Sequence, residues 1–332
     1  MNKEIKICFI ADKHSLYDDR IYWKMAVPLK KRGFDIHYLL IDHETIKGVT
    51  KEGIKYEILG IKTFSKNRYL NFILKNLNPF NNYKKIYKKS KKINADIYHF
   101  HDLWINRIGK KLKNLPQKPV VIYDAREPYA EDYISYIKVK GVMKYFIKIF
   151  SLFVDKWEKS ISKNYDLVIS NEEIVRDRFR KKIGLDKAEV LYNYTDIYKE
   201  YKKIPFKEKE YDFIYCGGIT KERGAWKILE ATLLAKERMQ NIKVAFVGSY
   251  SPNNLKNELR DFILKNNLEQ NIILYSAVDY NRISEFYNKS RVGLVTLFPN
   301  KTFKISMPIK IFEYMAFGLP IIGSNFGHLK EY

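Results

Sequence analysis

Phe213-Ile214-Tyr215-Cys216-Gly217-Gly218-Ile219-Thr220-Lys221-Glu222-Arg223-Gly224 starts apolar, passes through two glycines and leads into a helical pattern over Ala225–Met239. A short apolar run bounded by glycine reads as a strand covered on both faces, and a helix directly after it makes half of a βαβ unit. The unit recurs downstream. Val244–Val247, Ile272–Tyr275, Val292–Leu297 and Leu319–Gly323 read as strands, separated by helices such as Leu255–Asn266 and Ile283–Asn288. Upstream, Ile5–Ile10, Ile36–Ile41, Ile54–Leu59, Asp96–Phe100, Val120–Tyr123, Leu167–Ser170 and Val190–Tyr192 read the same way. The connections are long enough for helices, which favours right-handed crossovers over hairpins. Between the two series lies Tyr198–Tyr211, rich in Lys and Glu with Pro205, the best linker. The expected fold is α/β, two doubly wound domains facing across a cleft, residues 1–200 and 201–332.

Composition narrows the partners. A chain of 332 residues, 46% hydrophobic and 30% charged, can build two cores, which excludes collagen-like and disordered classes. Its 61 Lys plus Arg against 38 Asp plus Glu give a formal charge of +23, more than solubility needs, so an anionic partner is expected. Cys8 and Cys216 sit in apolar strand-like runs far apart and read as reduced core thiols of a cytosolic protein. Met1–Ile7 runs into a strand without an apolar leader. The most apolar stretch, Val139–Trp157, is broken by Lys140, Lys144, Lys148 and Asp155 and falls short of a membrane span.

In open α/β sheets ligands sit beyond the carboxyl ends of the strands, so the residues there matter most. After the first strand comes Ala11–Arg20, where Asp18 or Asp19 either caps the next helix or, with Arg20, edges an acceptor site. Pro28 should kink that helix. His99 and His101 share a strand face ahead of Asp102, but no third metal ligand is evident, so no metal is expected. Asp124-Ala125-Arg126-Glu127 follows the next strand and places two charged groups at its carboxyl end. In the second half, Gly217, Gly218 and Gly224 let backbone approach a phosphate, and Arg223 adds a fixed cation. No Gly-x-Gly-x-x-Gly, P-loop or Gly-x-Ser-x-Gly occurs, which weighs against dinucleotide, P-loop and serine-hydrolase chemistry. The most specific string is Ser306-Met307-Pro308-Ile309-Lys310-Ile311-Phe312-Glu313-Tyr314-Met315-Ala316-Phe317-Gly318-Leu319-Pro320. Pro308 suits a first helical turn, Gly318 a C-terminal cap, and Lys310 and Glu313 share a face.

These strings, in this order, resemble the retaining, nucleotide-sugar-dependent glycosyltransferases of family four, with the GT-B fold of two Rossmann-like domains. The resemblance spans nearly the whole chain and rests above all on Pro308–Pro320. It implies that Arg223 and Lys310 hold the donor diphosphate and Glu313 the donor ribose. Gly217, Gly218, Gly224 and Pro308 would complete the donor site. Asp19, Arg20, His101 and Asp102 would face the acceptor, and Arg126 and Glu127 would join Arg223 and Lys310 around the reacting sugar. It implies a nucleoside-diphosphate sugar as donor substrate, no cofactor, and a glycan or lipid-linked acceptor of cell-envelope polysaccharide synthesis. The absence of any Asp-x-Asp fits metal-independent transfer. The chain departs from the pattern in three places: Ile305 stands where a second donor-helix glutamate is common, Gly218 where many relatives have arginine, and Arg126 where close relatives have histidine. Relatives also continue beyond the point matching Tyr332, so the second domain reads as a short one or one truncated at its C-terminus.

Residues 61–95 carry Lys62, Lys66, Arg68, Lys75, Lys84, Lys85, Lys88, Lys89, Lys91 and Lys92 with no acid, interleaved with Tyr69, Phe72, Phe80, Tyr83 and Tyr87. Residues 138–163 add seven Lys against Asp155 and Glu158 on an apolar helix. Basic, aromatic stretches of this kind suit an anionic bilayer, so the expected place is the cytoplasm, peripheral on the inner face of the membrane. A solvated lysine-rich surface is the plain alternative. Two rivals remain: a non-catalytic sugar-nucleotide sensor, and a nucleic-acid binder, which has only bulk charge behind it and no helix-turn-helix, zinc spacing or RNP-like string.

Overall fold

The computed structural model describes residues 4–12, 14–42, 44–60, 79–130, 134, 141–195 and 200–331. The basic residues at 62, 66, 68, 75, 138 and 140, and the first residues of the expected linker, lie outside them. The chain forms two compact units, Met1–Tyr192 and Asn193–Tyr332, divided between Tyr192 and Asn193 where 200/201 was expected.

In the first unit, β1 (Lys6–Asp12) is followed by a π-helix (Asp19–Ala26), α1 (Val27–Lys31), β2 (Asp35–Asp42), β3 (Ile46–Val49) and β4 (Lys55–Gly60). Then come α2 (Pro79–Ile93), β5 (Ile97–His101), α3 (Asn106–Lys113), β6 (Val120–Ala125), α4 (Val142–Ser162), β7 (Leu167–Ser170), α5 (Glu173–Ile183) and β8 (Ala188–Val190). The sheet runs β3-β4-β2-β1-β5-β6-β7-β8, parallel except for β3 against β4. Central strands such as β1 (KICFIAD) are buried almost throughout, as their unbroken apolar runs require. Cys8, Ile10, Tyr98, Phe100, Val121 and Tyr123 pack under α2–α5; Phe9, Ile36, Tyr38 and Leu40 pack under the π-helix and α1. Pro28 does not kink a continuous helix. It sits where the π-helix, closed by the Val27 N–H to the Tyr22 carbonyl, passes into α1, so its missing N–H falls at a change of winding.

The second unit runs β9 (Tyr211–Cys216), α6 (Ala225–Lys236), β10 (Val244–Val247), α7 (Leu255–Lys265), β11 (Ile272–Tyr275), α8 (Ile283–Asn288), β12 (Ser290–Val295), α9 (Lys310–Ala316) and β13 (Ile321–Gly323). Its sheet, β11-β10-β9-β12-β13, is parallel throughout. Strand β8 lies two residues before its expected position at Val190–Tyr192, and β12 two residues before Val292–Leu297. Both cysteines are buried and free, and burial pushes the Cys216 thiol up to about 12.

Each sheet has one place where strand order reverses, between β1 and β5 and between β9 and β12. Such switch points open a crevice at the carboxyl edge because the flanking connections leave in opposite directions. The loops after these four strands therefore hold the candidate sites.

Candidate functional site

In the second unit, β9 ends at Cys216 and the chain turns at Gly217, whose φ of +115° is one that side chains rarely adopt. The loop closes on Gly224 (φ +80°), the residue before α6, where a Cβ would collide with the Thr296 carbonyl oxygen. The Phe298 N–H donates to the Glu222 carbonyl at 2.9 Å and the Thr296 hydroxyl to the Arg223 carbonyl at 3.1 Å, so the loops after β9 and β12 brace each other.

Helix α9 fits against the same edge. The Tyr314 hydroxyl accepts from the Cys216 N–H (3.0 Å) and donates to the Ile214 carbonyl (3.2 Å), and its ring lies over Gly293, where any Cβ would clash. The Pro308 carbonyl accepts from the Ile311 N–H (3.1 Å), so Pro308 lies just ahead of the helix, and Gly318 (φ +62°) caps its far end as the sequence suggested. This docking turns Lys310 and Glu313 inward, and each is 4% exposed. Glu313 Oε2 accepts from the Tyr287 hydroxyl at 2.6 Å. The Lys310 ammonium sits 3.6 Å from the centroid of the Tyr215 ring and has no hydrogen-bond acceptor among the described residues. A buried ammonium in that state costs free energy unless an anion meets it, and the π face of Tyr215 offsets only part of the cost.

Lys310 and Arg223 address consecutive residues of one loop. A Cβ built on Gly217 would lie 3.5 Å from Lys310 Nζ, and one on Gly218 would lie 3.7 Å from Arg223 Nη1. The guanidinium, 5.6 Å from the centroid of the Phe303 ring, has no ion-pair partner among the described residues. Two cations over a glycine turn, beside the first amides of α6, make an anion cradle suited to a pyrophosphate. The expected donor residues Gly217, Gly218, Arg223, Gly224, Lys310 and Glu313 are brought to this one edge.

In the first unit the loops after β1, β5 and β6 form a charged knot. Asp18 caps the π-helix, accepting from the Arg20 and Ile21 N–H groups at 3.0 and 2.8 Å. Its neighbour Asp19 pairs with Lys24 at 3.4 Å. His14, which the sequence reading passed over, bridges Asp18 (Nδ1, 3.0 Å) and Asp102 (Nε2, 3.0 Å). Burial lowers its pKa, but the two carboxylates outweigh this and lift it to about 9, so the ring is an imidazolium. Asp102, at φ +76°, also accepts from the Asp12 N–H (2.9 Å), and Asp12 accepts from Tyr83 (3.0 Å). Arg126 lies 3.4 Å from Asp18 and beside the His14 ring. Burial works against its charge, yet Asp18, Asp124, Asp19 and Asp102 raise its pKa. Glu127 is exposed.

Two expectations are corrected. Arg20 is 2% exposed, holds both oxygens of buried Asp124 (2.9 and 3.2 Å) and donates to the Leu191 carbonyl (2.9 Å); it ties the unit together instead of edging an acceptor site. His101 is fully buried, stacked on His99 with ring centroids 4.6 Å apart. Its Nδ1 lies 3.3 Å from Asp124 Oδ2, out of line for a hydrogen bond. The structure supplies the third group that the His-x-His string lacked, because Asp124 is the register partner of His101 and the three residues' ligand atoms lie within 4.8 Å of one another. Burial raises the Asp124 carboxyl, but Arg20 and His101 outweigh it and hold it well below the usual range, while burial holds both histidines low. A carboxylate already neutralised by a guanidinium is a poor anchor for a dication, so this cluster reads as a structural network.

Residues 196–332 match the family model described as Glycosyl transferases group 1. The match covers nearly all of the second unit. An uncharacterized glycosyltransferase of Methanocaldococcus jannaschii is 25% identical over 202 residues, 60% of this chain and 45% of that protein, so the chain spans about half the length of the curated relative it matches. Among solved structures, HepE of Anabaena in complex with UDP and glucose has a TM-score of 0.63 at 17% identity, over 99% of this chain and 83% of that one. Sucrose-phosphate synthase of Thermosynechococcus elongatus has 0.67 at 13%, over 99% and 83%. The likeness extends beyond the residues matched by the family model to both parallel-sheet units, and the fold is GT-B.

Proposed function

We infer that this chain is a retaining, metal-independent glycosyltransferase that moves a sugar from a nucleoside diphosphate to a hydroxyl. The observation that carries the reading is the Lys310 ammonium, buried and without an acceptor among the described residues, beside a glycine turn that Arg223 also approaches. The hard step is departure of the diphosphate. Lys310 and Arg223 would offset the charge that develops there, and fixed cations do so without reorganising. Glu313, steadied by Tyr287, would accept hydrogen bonds from the ribose hydroxyls. The leaving phosphate can take the acceptor's proton, so the mechanism needs no protein base. HepE was solved with UDP and with UDP-glucose, which makes UDP the first nucleotide to try.

The acceptor in this reading is a lipid-linked or polysaccharide intermediate of cell-envelope glycan synthesis, met at the inner face of the membrane. No described helix is long and apolar enough to cross a bilayer, so the chain would meet it from the surface. Isothermal calorimetry of the whole chain against UDP, GDP and ADP and their sugars tests the donor half. One nucleotide should bind and the others bind less. Absence of heat with all of them would remove the function.

A further inference from the structure

Helix α4 buries three polar residues with Val154, Trp157 and Ile161 against the core and leaves another apolar side to water. Ser151, Val154, Glu158 and Ser162, at i, i+3, i+7 and i+11, are buried against the unit. The Ser151 hydroxyl donates to the Ala130 carbonyl (2.6 Å), the Ser162 hydroxyl to the Glu158 carbonyl (2.7 Å), and the Tyr123 hydroxyl to the Glu158 carboxylate. On the opposite side Tyr145, Phe146, Ile149, Leu152 and Phe153 follow the i, i+1, i+4, i+7, i+8 spacing of a single helical stripe. Tyr145, Phe146, Leu152 and Phe153 are 58–65% exposed. Scattered exposed apolar residues are ordinary; a contiguous aromatic stripe on one helix marks a surface that something covers.

Charge identifies what covers it. Lys144, Lys148 and Lys156 are exposed on the same helix, and no acid lies between Gly141 and Val154. The first acid, Asp155, is paired with Lys159 at 2.7 Å. Helix α3 packs beside α4 and presents Lys110 and Lys111, and α2 packs beside α3 and presents Lys84, Lys85, Lys88, Lys91 and Lys92. A second copy seated on this face would bring like charges together. A surface apolar within and anionic outside matches both features at once.

We propose that α4 docks in the headgroup region of an anionic lipid bilayer, with Tyr145, Phe146, Leu152 and Phe153 inserted and the lysines on phosphates. This deepens the reading of a lipid-borne acceptor and rests on it only for its purpose, because docking is measured without nucleotide and nucleotide binding without lipid.

The test is co-sedimentation of the full chain with phosphatidylcholine–phosphatidylglycerol vesicles and with phosphatidylcholine vesicles. The wild type should pellet with the anionic vesicles and stay largely in solution with the neutral ones. Phe146→Asp with Phe153→Asp should abolish pelleting while leaving the circular-dichroism spectrum and nucleotide calorimetry unchanged. Lys144→Gln and Lys148→Gln should each weaken it about fivefold. Should the aspartate pair fail to fold, Tyr145→Ser with Leu152→Ser repeats the test at neighbouring positions. Wild type left in solution with both vesicles, or aromatic variants that pellet like it, overturns the proposal. So does a wild-type dimer in sedimentation equilibrium that the aromatic variants break, since a second copy would then cover α4.

Discussion

The two switch points gather charge in opposite ways. Beyond β1, β5 and β6, Arg20 meets Asp124, Arg126 meets Asp18, and His14 lies between Asp18 and Asp102. Beyond β9 and β12, Lys310 has no acceptor and Arg223 no acid among the described residues. Opposite charges in contact cancel each other's field and hold loops in place; cations left without partners keep their field for a ligand. Residue type does not separate the two places, since both are rich in cations at strand ends. Pairing does.

The contrast predicts where mutations register. Asp124→Asn strands the Arg20 guanidinium in the core and should cost about 3–5 kcal/mol of stability in urea unfolding. A loss under about 1 kcal/mol would mean that the knot is not structural. Lys310→Ala should lower the transfer rate by about 10²–10³-fold and abolish calorimetric nucleotide binding. Its folded state should be as stable as wild type or more so, because the variant removes a buried ammonium that lacks an acceptor. If Lys310→Ala destabilised the chain as much as Asp124→Asn, the distinction between the two edges would fail. A pH series sharpens the comparison from the other side. The folded His14 pKa of about 9 lies above its ordinary value of 6.5, so the folded state binds that proton more tightly. The resulting stabilisation, up to about 3 kcal/mol, is complete below pH 6.5 and is lost as pH rises through 9. Chemical denaturation from pH 6 to 10 should show this decline, and His14→Asn should flatten it.

Local pattern made most of the architecture visible and left the knot hidden. Unbroken apolar runs mark β1, β2, β5, β6, β9 and β10 because strands covered on both faces need them. β3 escaped because Ile46-Lys47-Gly48-Val49 pairs antiparallel at an edge, largely exposed, and carries no apolar run. The edge beyond β9 and β12 was readable because its parts are contiguous: a strand, a glycine turn and a helix, then a second helix whose Lys310 and Glu313 share a face. The partners in the first unit are not contiguous. Arg20 and Asp124 are 104 residues apart, and His14 and Asp102 are 88 apart. Only the parallel register that sets β1 beside β5 and β5 beside β6 joins them. That is why Arg20 and His101 read as acceptor residues although both lie in the interior, Arg20 as a tie to Asp124, and why His14 went unremarked.

Gly293 carries no charge and no side chain, yet it sets how deep helix α9 sits. The phenol of Tyr314 rests directly on that glycine's bare backbone while its hydroxyl is pinned to β9. A methyl group there would act as a shim beneath the helix, lifting Lys310 and Glu313 in unison. The placing of two inward charges can therefore be changed from a residue that carries none.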